Sequence, residues 1–469
     1  MNRSKPTSWP NAIPLGKPFG NLAKLNTRLL IALVFLTGLH QAASQSFVLS
    51  SSPSAYNPVS IIAADVNGDG KQELICANAS VFNTPSTVSV FTNDGSGRFG
   101  ISSQPTVGVL PISVVAADVN GDGKLDLICA NEGDNKVSVL TNGGSGGFKL
   151  AGTYAAGHWP SSVAAADING DGKVDLIIAD NSSLNLTVLT NDGVGGFMRA
   201  SYPNVGSGPI SVTAADVNRD KNLELICANY GGNSISVLTN NGGGVFKLAS
   251  SSSTGNRPSA ILAVDVNGDG WVDLITANEN ESGTLTVLTN NRSGSFGSNS
   301  TLNVGGNPTW VATADVNGDG KIELISANNG VYPSFNGSLS VLTNNGNGSF
   351  ALAATLSVGS GAQSVVAVDV NGDGRLDLVS ANYSGGSLSV LTNSLTFLPR
   401  LTLKNSGTSA VVSWPSQWTG WAGWTLQQNT DLNTGNWTSF NGTIGDDGTT
   451  KSVTNSPQAG NLFFRLAHP

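Results

Sequence analysis

The sequence predicts an all-β fold, in which a seven-bladed β-propeller closed by an N-terminal strand is followed by a small C-terminal β-sandwich. Three observations predict this fold. An acidic motif of nine residues, D-x-N-x-D-x-x-x-[DE], recurs seven times at spacings of 49 to 54 residues. Short β-branched runs bounded by Gly and Asn surround each copy. A phenylalanine recurs with the same period and begins one copy before the first motif.

The first 44 residues differ in composition from the rest of the chain. Residues 1–64 contain no acidic residue, and five basic residues precede Leu29–Leu39, an apolar run of eleven residues. This run is too short to span a bilayer as a helix, and small residues at 42–44 follow it. The pattern predicts a signal peptide over 1–44, with an uncleaved anchor as the alternative. We therefore expect a secreted, periplasmic or cell-surface protein with no membrane span after cleavage.

The charge balance of the 469-residue chain excludes one broad class of protein and disfavours another. Only 12% of the residues are charged, and the formal net charge is −8. A nucleic-acid-binding protein is excluded because it would need basic residues to neutralise phosphates. A soluble helical protein is disfavoured because Glu, Lys and Arg are scarce. Without the signal peptide, the chain has 18 basic and 31 acidic residues, which is a net charge of −13. Because this excess of acidic residues needs a counter-charge, it suggests a small cationic partner.

Each repeat within 45–397 predicts four antiparallel strands. The first strand precedes the acidic motif, the second follows it, the third ends in Thr-Asn, and the fourth begins at the phenylalanine. Four strands in about 50 residues fit one propeller blade. The last repeat stops at Asn393 without its phenylalanine, whereas Phe47 precedes the first motif. The N-terminal strand is therefore predicted to complete the last blade, which removes the free edges of an open solenoid, the alternative architecture.

Length variation between repeats predicts two unlike faces. From the first motif Asp to the Asn that ends the third strand, the repeats span 28, 24, 24, 24, 25, 29 and 24 residues. All the variation therefore lies between the second and third strands. Because strand direction alternates, this connection shares one face with the fourth-to-first connection. We call it the variable face, and we call the opposite face, formed by the acidic loops and the Gly-rich turns, the constant face.

The acidic loops are candidate calcium sites. Side-chain oxygens lie at positions 1, 3, 5 and 9, and a backbone carbonyl is available at position 7. Hard oxygen ligands in a tight loop suit Ca²⁺, whereas Mg²⁺ favours more water and transition metals favour His or Cys. The loop is not an EF-hand, because position 12 is never Glu. Plain hairpin turns are the alternative. The candidate residues are Asp65, Asn67, Asp69, Lys71, Glu73; Asp118, Asn120, Asp122, Lys124, Asp126; Asp167, Asn169, Asp171, Lys173, Asp175; Asp216, Asn218, Asp220, Asn222, Glu224; Asp265, Asn267, Asp269, Trp271, Asp273; Asp315, Asn317, Asp319, Lys321, Glu323; and Asp369, Asn371, Asp373, Arg375, Asp377.

Up to seven Ca²⁺ ions are therefore expected, with the fourth site weaker than the others. Without metal, three carboxylates in one loop repel each other, so calcium is predicted to stabilise the fold. The fourth loop keeps its ligand types, but Arg219 and Lys221 stand where the other loops have glycine. Two nearby cations and the loss of a flexible turn predict weaker binding there.

These repeats resemble the FG-GAP, or VCBS, repeats of integrin α-chain heads and of many exported bacterial proteins. The resemblance covers about 46–393 and rests on seven copies of the acidic loop. It implies a seven-bladed propeller with Ca²⁺ between the first two strands of each blade, held by the loop positions named above. Within the repeats, the Phe-Gly pair occurs only at Phe99-Gly100 and Phe296-Gly297, and the Gly-Ala-Pro part is absent. Integrin-like ligand recognition is therefore not implied.

The composition changes again over 398–469, which holds five of the nine tryptophans. Alternating runs separated by Gly and Asn predict a small β-sandwich. This segment is similar to the fibronectin-III-like modules of exported bacterial proteins. Trp418 and Trp421 are candidates for a sugar-stacking platform, with plain packing as the alternative.

The three cysteines do not predict a disulfide framework. Cys76, Cys129 and Cys227 occupy one repeat position, eleven residues after the motif Asp. Equivalent positions on different blades are too far apart to be bridged. The shared repeat position instead predicts that the three cysteines are small side chains buried in the interior of the propeller.

The sequence does not predict an enzyme. After signal cleavage His158 and His468 are the histidines that remain, and His158 has no acid or nucleophile placed beside it. We expect a monomeric, non-catalytic binding, adhesion or scaffold protein with an extracellular protein or glycan partner. A polysaccharide-directed protein, either a lectin-like binder or a carbohydrate-active enzyme, is the alternative. Candidate ligand-binding aromatics on the variable face are Tyr56, Trp159, Tyr230, Trp310, Tyr332 and Tyr383.

Overall fold

A computed structural model describes residues 46–79 and 86–394, together with 402–405, 410–415, 425–429, 436, 438–446, 450–455 and 463–467. The predicted signal peptide, His468, Trp418 and Trp421 lie outside these residues. The only helical segment in the described part of the chain is a 3₁₀ turn at Glu132–Asp134. No helix among the described residues is long and apolar enough to cross a bilayer.

Each of the seven repeats forms a four-stranded antiparallel sheet, as predicted. The strand β1 precedes them at Phe47–Ser51. Blades 1 to 3 comprise β2 Pro58–Ala64, β3 Glu73–Asn78, β4 Thr87–Asn93 and β5 Phe99–Ser103; β6 Pro111–Ala117, β7 Asp126–Asn131, β8 Lys136–Asn142 and β9 Phe148–Ala155; and β10 Pro160–Ala166, β11 Asp175–Asp180, β12 Leu186–Asn191 and β13 Phe197–Ser201.

The remaining blades repeat the same order of strands. Blades 4 to 7 comprise β14 Pro209–Ala215, β15 Glu224–Asn229, β16 Ser234–Asn240 and β17 Phe246–Ser253; β18 Pro258–Val264, β19 Asp273–Asn278, β20 Thr284–Asn290 and β21 Phe296–Asn303; β22 Pro308–Ala314, β23 Glu323–Asn328, β24 Ser338–Asn344 and β25 Phe350–Ser357; and β26 Ala362–Val368, β27 Asp377–Asn382 and β28 Ser387–Asn393.

The ring closes through the N-terminal strand, which confirms the prediction from Phe47. Strand β1 pairs antiparallel with β28, with Phe47 opposite Asn393 and Leu49 opposite Leu391. The first strands of consecutive blades lie side by side around a central axis, and β26 of blade 7 lies beside β2 of blade 1. Blade 7 therefore takes its fourth strand from the start of the propeller, and the inner strands form an unbroken ring.

The core lies between neighbouring blades. The second strand of each blade is buried over its whole length, because its two faces pack against different neighbours. Leu74 of β3 packs with residues of blade 7, whereas the next residue, Ile75, packs with residues of blade 2. The predicted interior position of the cysteines is confirmed, since all three are buried and unpaired.

The C-terminal region is described as short strands in two sheets. One sheet has the order β29-β30-β34-β33 and the other β32-β31-β35. The sandwich predicted for this region stays a prediction. The strands are β29 Thr402–Asn405, β30 Ala410–Pro415, β31 Thr425–Asn429, β32 Thr438–Ser439, β33 Gly445–Asp446, β34 Thr450–Asn455 and β35 Phe463–Ala467.

Candidate functional site

The first acidic loop folds around its own side chains. The Asp65 carboxylate accepts hydrogen bonds from the backbone N–H groups of Gly68, at 2.7 Å, and Gly70, at 2.9 Å. The Asn67 side-chain oxygen accepts the N–H of Asp69 at 2.8 Å. All seven loops share the bonds from positions 4 and 6 to the first Asp. The constant face therefore presents seven copies of one loop conformation.

The carboxylate at position 9 fastens each loop to its own blade. In the second loop, Asp126 accepts the N–H of Val119 at 3.2 Å and the N–H of Asn142, at the end of the third strand, at 2.8 Å. This carboxylate begins the second strand of the blade, where solvent is excluded. All seven are completely buried: Glu73, Asp126, Asp175, Glu224, Asp273, Glu323 and Asp377.

The asparagine that ends each third strand links neighbouring loops. The Asn142 side-chain amide donates to the Leu125 carbonyl of its own loop at 3.0 Å and to the Val66 carbonyl of the first loop at 2.7 Å. The same inter-blade bond occurs in every blade, and in blade 1 it runs from Asn93 back to Val370 of blade 7. The seven loops are therefore joined in a closed circle.

Burial makes the charged form of the position-9 carboxyls unfavourable. Burial is the largest cause that raises the pKa of Glu323 to about 7 and the pKa of Asp377 to about 6. The two other carboxylates of each loop raise these pKa values further, while backbone hydrogen bonds lower them. The pKa of every other position-9 carboxyl is also raised, chiefly by burial. A cation beside these groups would favour their ionised forms.

The oxygen atoms of two loops are already close enough to share a metal ion. In loop 1, one oxygen each of Asp65, Asp69 and Glu73 lie within 4.8 Å of one another, and Asp216, Asp220 and Glu224 do the same in loop 4. The Glu73 Oε1 atom is buried and has no hydrogen-bond partner among the described residues. Since an orphaned, buried carboxylate oxygen needs a counter-charge, the donor set of this loop fits a hard cation.

Cations partly balance the loops from outside. In five loops the Lys or Arg at position 7 lies 3.7–3.9 Å from the position-5 carboxylate. Loop 5 has Trp271 at position 7, and Arg292 from the Gly-rich turn replaces the missing cation, with its Nε atom 3.5 Å from Asp269. These pairs are largely exposed, so they compensate only part of the charge in each loop.

The fourth loop keeps the common hydrogen bonds without its glycines. Arg219 and Lys221 have φ values of 64° and 73°, in the left-handed region that favours glycine. The Arg219 guanidinium lies 4.3 Å from the centre of the Trp271 ring and donates to the Gly270 carbonyl. Loop 4 is therefore strained but attached to loop 5, and its weaker metal binding stays a prediction.

Two backbone bonds recur on the variable face of every blade. In one, a residue just before the third strand accepts the N–H of a residue in the connection that follows the fourth strand, as Ser86 does from Val107 at 3.0 Å. The other joins the second strand to the first. In each blade, the residue after the second strand donates its N–H to a residue just before the first strand, as Tyr230 does to Gly208 at 2.7 Å and Asn181 to Trp159 at 2.9 Å. The acceptor residue has a left-handed backbone in all seven blades.

Side chains add to this backbone frame of the variable face, because the Asn that ends the second strand donates to a Ser or Thr of the third strand in six blades, as Asn78 does to Ser89 at 2.8 Å. The side chains of the connections between these fixed points differ from blade to blade.

Three of the predicted aromatic residues are strongly exposed on this face. Tyr332 is 78% exposed, Tyr56 56% and Trp159 55%. Tyr230 and Tyr383 are half-buried. Trp310 lies in the inner strand β22 and lines a cavity at the axis, rather than lying in a connection.

This axial cavity has a volume of about 220 Å³ and opens at the variable-face ends of the seven first strands. Its lining includes Glu279 and Gln363, which the sequence analysis did not single out. An alignment of the seven repeats could have revealed Trp310, since the equivalent residue is Ser in five blades and Ala in one.

Six overlapping segments of the chain match the family profile of the FG-GAP-like repeat. They are 65–129, 118–178, 167–227, 216–276, 265–326 and 315–380, and together they cover about two thirds of the chain. The chain belongs to the FG-GAP-like repeat family. A comparison with curated protein sequences finds no match.

Solved structures similar to this FG-GAP-like propeller share little sequence with it. BBS1N in complex with ARL6DN is 12% identical, with a TM-score of 0.53, and the match covers 75% of this chain and 98% of that chain. The periplasmic gluconolactonase PpgL of Pseudomonas aeruginosa is 16% identical, with a TM-score of 0.50 and coverage of 65% and 86%. A protein from Lactobacillus plantarum is 12% identical, with a TM-score of 0.51 and coverage of 85% and 100%. These likenesses show the fold alone.

The FG-GAP-like repeats thus separate two kinds of chemistry. On the constant face, each blade brings three carboxylates into one loop and ties that loop to the next. On the variable face, the same blades present aromatic and polar side chains on a backbone frame. The first arrangement can hold hard cations, and the second can contact a ligand.

Proposed function

We propose that this protein is an exported, calcium-binding propeller that acts as a non-catalytic binding, adhesion or scaffold protein. In this proposal up to seven Ca²⁺ ions stabilise the constant face, and the variable face binds an extracellular partner. The observation that carries it is the set of seven fully buried position-9 carboxylates, each beside two more carboxylates of the same loop. Such a cluster is costly without a cation.

The ion would be held by the side-chain oxygens at positions 1, 3, 5 and 9 and by the carbonyl at position 7. When bound, Ca²⁺ supplies the positive charge that neutralises the three carboxylates of a loop. The chain itself fixes the geometry, because Asp126 holds the backbone of Asn142 and the Asn142 side chain holds Val66 of the neighbouring loop. Calcium at one loop therefore supports the next loop around the ring.

A non-catalytic role is supported by the surroundings of His158, the single histidine in the described part of the chain. The nearby Asp180 is completely buried. Its two oxygens accept hydrogen bonds from the Gly157 N–H at 3.0 Å and the Thr187 hydroxyl at 2.7 Å. Asp180 is thus a structural acceptor within blade 3, and both of its oxygens are already engaged rather than free to act as an acid partner for His158.

Calcium binding is tested by equilibrium dialysis and by thermal unfolding with Ca²⁺ or with EGTA. A site occupied at about 100 times its Kd contributes about 2.7 kcal/mol, so several sites should raise the melting temperature by about 10 °C or more. The Glu73→Gln variant should lose one ion per chain. An unchanged melting temperature in EGTA would contradict the calcium proposal.

Export is tested separately by cell fractionation and by sequencing the mature N-terminus, which we expect at Gln45.

The extracellular partner is sought by affinity capture from the exported fraction, with the Tyr332→Ala variant as a probe of the variable face.

The second candidate function is that of a polysaccharide-directed protein, and the exposure of Trp159 and Tyr332 favours it. Binding to a glycan array that is lost in Trp159→Ala or Tyr332→Ala would support a lectin-like protein. Turnover of a polysaccharide by the purified protein would contradict the non-catalytic proposal.

A further inference from the structure

The mouth of the central axis is a built polar site. Hydroxyl groups at the second residue of the first strand bind the framework together: the Ser161 hydroxyl lies 3.1 Å from the Ala179 carbonyl of its own blade and 3.2 Å from the Pro209 carbonyl of the next. Ser259 and Thr309 make the equivalent pairs of contacts. These bonds fix the rim of the cavity, so its shape does not depend on mobile side chains.

A second ring of hydroxyls lies one residue further along the strands. Ser60 accepts the N–H of Val114 from the next blade at 3.3 Å, and Ser113, Ser162 and Ser211 do the same. All four line the cavity. Each of these four hydroxyl oxygens accepts a hydrogen bond, but among the described residues none of the four hydroxyl groups donates one. They are therefore available to donate hydrogen bonds to a ligand in the cavity.

The serine ring is interrupted on one side of the axis. Blades 5 and 6 carry Ala260 and Trp310 at this position. The same side contributes Glu279 and Gln363 to the lining, whereas blades 1 to 4 contribute only Val, Ile and Ser. An indole, a carboxylate and an amide thus face an arc of hydroxyl groups. The seven-fold repeat of the framework does not require this asymmetry.

One carboxylate lies in the lining of the cavity, beside a tyrosine and an arginine of neighbouring connections. Glu279 is the only charged residue in its lining. The Tyr230 hydroxyl is hydrogen-bonded to Glu279, and the Arg257 guanidinium lies 5.8 Å from the Tyr230 ring centre. Burial and the Glu279 charge raise the pKa of the Tyr230 hydroxyl, while Arg257 opposes them. The Glu279 carboxylate can act as a hydrogen-bond acceptor for a ligand in the cavity.

We propose that the axial cavity binds one terminal sugar ring of a glycan, with Trp310 as the apolar contact and Glu279, Gln363 and the serine hydroxyls as hydrogen-bond partners. This inference rests on the proposed function, which assigns partner binding to the variable face. A volume of about 220 Å³ lies below the roughly 300–1,000 Å³ of sites for drug-sized ligands, so a single ring is a suitable occupant. The cavity offers hydrogen-bond donors, hydrogen-bond acceptors and an aromatic ring. This combination suits a sugar ring, which carries several hydroxyl groups and has an apolar face.

The test uses the full chain in Ca²⁺ and four probes, the methyl glycosides of glucose, galactose, mannose and N-acetylglucosamine. Binding is followed by calorimetry and saturation-transfer NMR, and a Kd in the millimolar range with one site per chain is expected.

Trp310→Ser introduces the residue found in five other blades and should weaken binding about tenfold or more. Gln363→Ala, which alters no packed residue of the core, should weaken it about fivefold. Met198→Ala, on the outer strand β13, is the matched control and should bind like wild type.

The outcomes separate this inference from the proposed function. Loss of binding in Gln363→Ala with an unchanged melting temperature, together with loss in a Trp310→Ser variant that remains folded at the assay temperature, supports the axial site. Trp310 packs against two inter-blade clusters, so its substitution is expected to lower the melting temperature. Absence of binding to all four glycosides would overturn it. Binding that survives in Trp310→Ser and Gln363→Ala but is lost in Trp159→Ala or Tyr332→Ala would also overturn it, while leaving the variable face as the binding surface. A captured partner combined with no glycoside binding would retain the proposed function and remove the axial site.

Discussion

On the constant face, seven loops repeat one set of hydrogen bonds between side-chain oxygens and backbone N–H groups. On the variable face, each blade repeats two backbone-to-backbone bonds, and six blades add a bond from the Asn that ends the second strand to a Ser or Thr of the third strand. The connections between these fixed points differ in length and in sequence. A substitution in an acidic loop therefore removes part of the framework. A substitution in a variable connection changes the surface chemistry and leaves the framework in place.

The difference explains how one repeat provides both stability and recognition. The carboxylates of the constant face set the conformation of each loop and hold the Asn whose side chain links it to the neighbouring loop, and in the proposed function they also bind a metal ion. The side chains of Tyr56, Trp159 and Tyr332 are largely exposed on the variable face, whereas buried polar side chains there, such as Ser162 and Asn229, are part of the framework. Side-chain diversity is thus available at the exposed positions of the variable face.

Removal of a position-9 carboxylate should have the largest effect. In Asp377→Ala, the N–H groups of Val370 and Asn393 lose their acceptor. An unsatisfied buried donor costs about 1–3 kcal/mol, so we expect the free energy of unfolding to fall by about 3 kcal/mol in Ca²⁺. Tyr332→Ala on the variable face should change it by less than about 0.5 kcal/mol. Urea denaturation measures both, and equal losses would contradict the contrast between the faces.

Asp377→Asn is the matched control for this prediction. The amide oxygen keeps one acceptor but removes the charge, so its loss of stability should be smaller and should depend on calcium. If Asn and Ala substitutions were equally destabilising with and without Ca²⁺, the carboxylate would have no role in metal binding.

A smaller effect, with a defined pH dependence, is expected at Asp180 on the variable-face end of β11. Burial is the largest cause that raises the pKa of Asp180 from its ordinary 3.8 to about 6. The folded state therefore favours the neutral carboxyl, and this contribution to stability is complete below pH 3.8 and is lost as the pH rises through 6. Asp180→Asn introduces the residue of the other six blades. It should be about 1–2 kcal/mol more stable than wild type at pH 8 and equal to it near pH 3.5.

The reciprocal variant in blade 4 provides the control. Asn229 occupies the position equivalent to Asp180 and donates to Ser234 and Ser236. Asn229→Asp should acquire the same loss of stability as the pH rises. Parallel pH profiles for wild type and Asp180→Asn would show that the Asp180 carboxyl does not titrate as described.

The sequence predicted the ring and its closure because these depend on spacing alone. Phe47 lies one period before the first motif, and β1 completes blade 7 as that spacing required. The conformation of the acidic loops was predictable because the bonds to their first Asp lie within six residues, whereas the bonds from Asn142 to the neighbouring loop were not foreseen. The axial cavity was not, because Trp310, Glu279 and Gln363 come from three blades and meet only where the first strands converge. The attachment of Arg219 to Trp271 was missed for the same reason.

The fourth loop offers a test of how far the constant face depends on glycine. Lys221 is exposed and has a left-handed backbone, which costs a residue with a side chain about 1 kcal/mol. Lys221→Gly should therefore stabilise the protein by about that amount. Gly123→Ala at the same position of loop 2 should cost about 1 kcal/mol through the backbone alone, because the added Cβ would meet no atom within 4 Å. Opposite signs in urea denaturation are expected, and a loss in both variants would contradict the assignment of strain to loop 4.

The smallest effect is expected for the ion pair that replaces a loop cation in blade 5. Arg292 lies 3.5 Å from Asp269, but its side chain is 67% exposed. Exposed pairs of this kind contribute about 0.2–1 kcal/mol and weaken as salt is added. Arg292→Ala should therefore lower the free energy of unfolding by about 0.5 kcal/mol at low ionic strength, and the difference should disappear at about 1 M NaCl. A loss that persists in high salt would mean that Arg292 supports the turn by packing rather than by its charge. The constant face would then depend on this turn more than its exposure indicates.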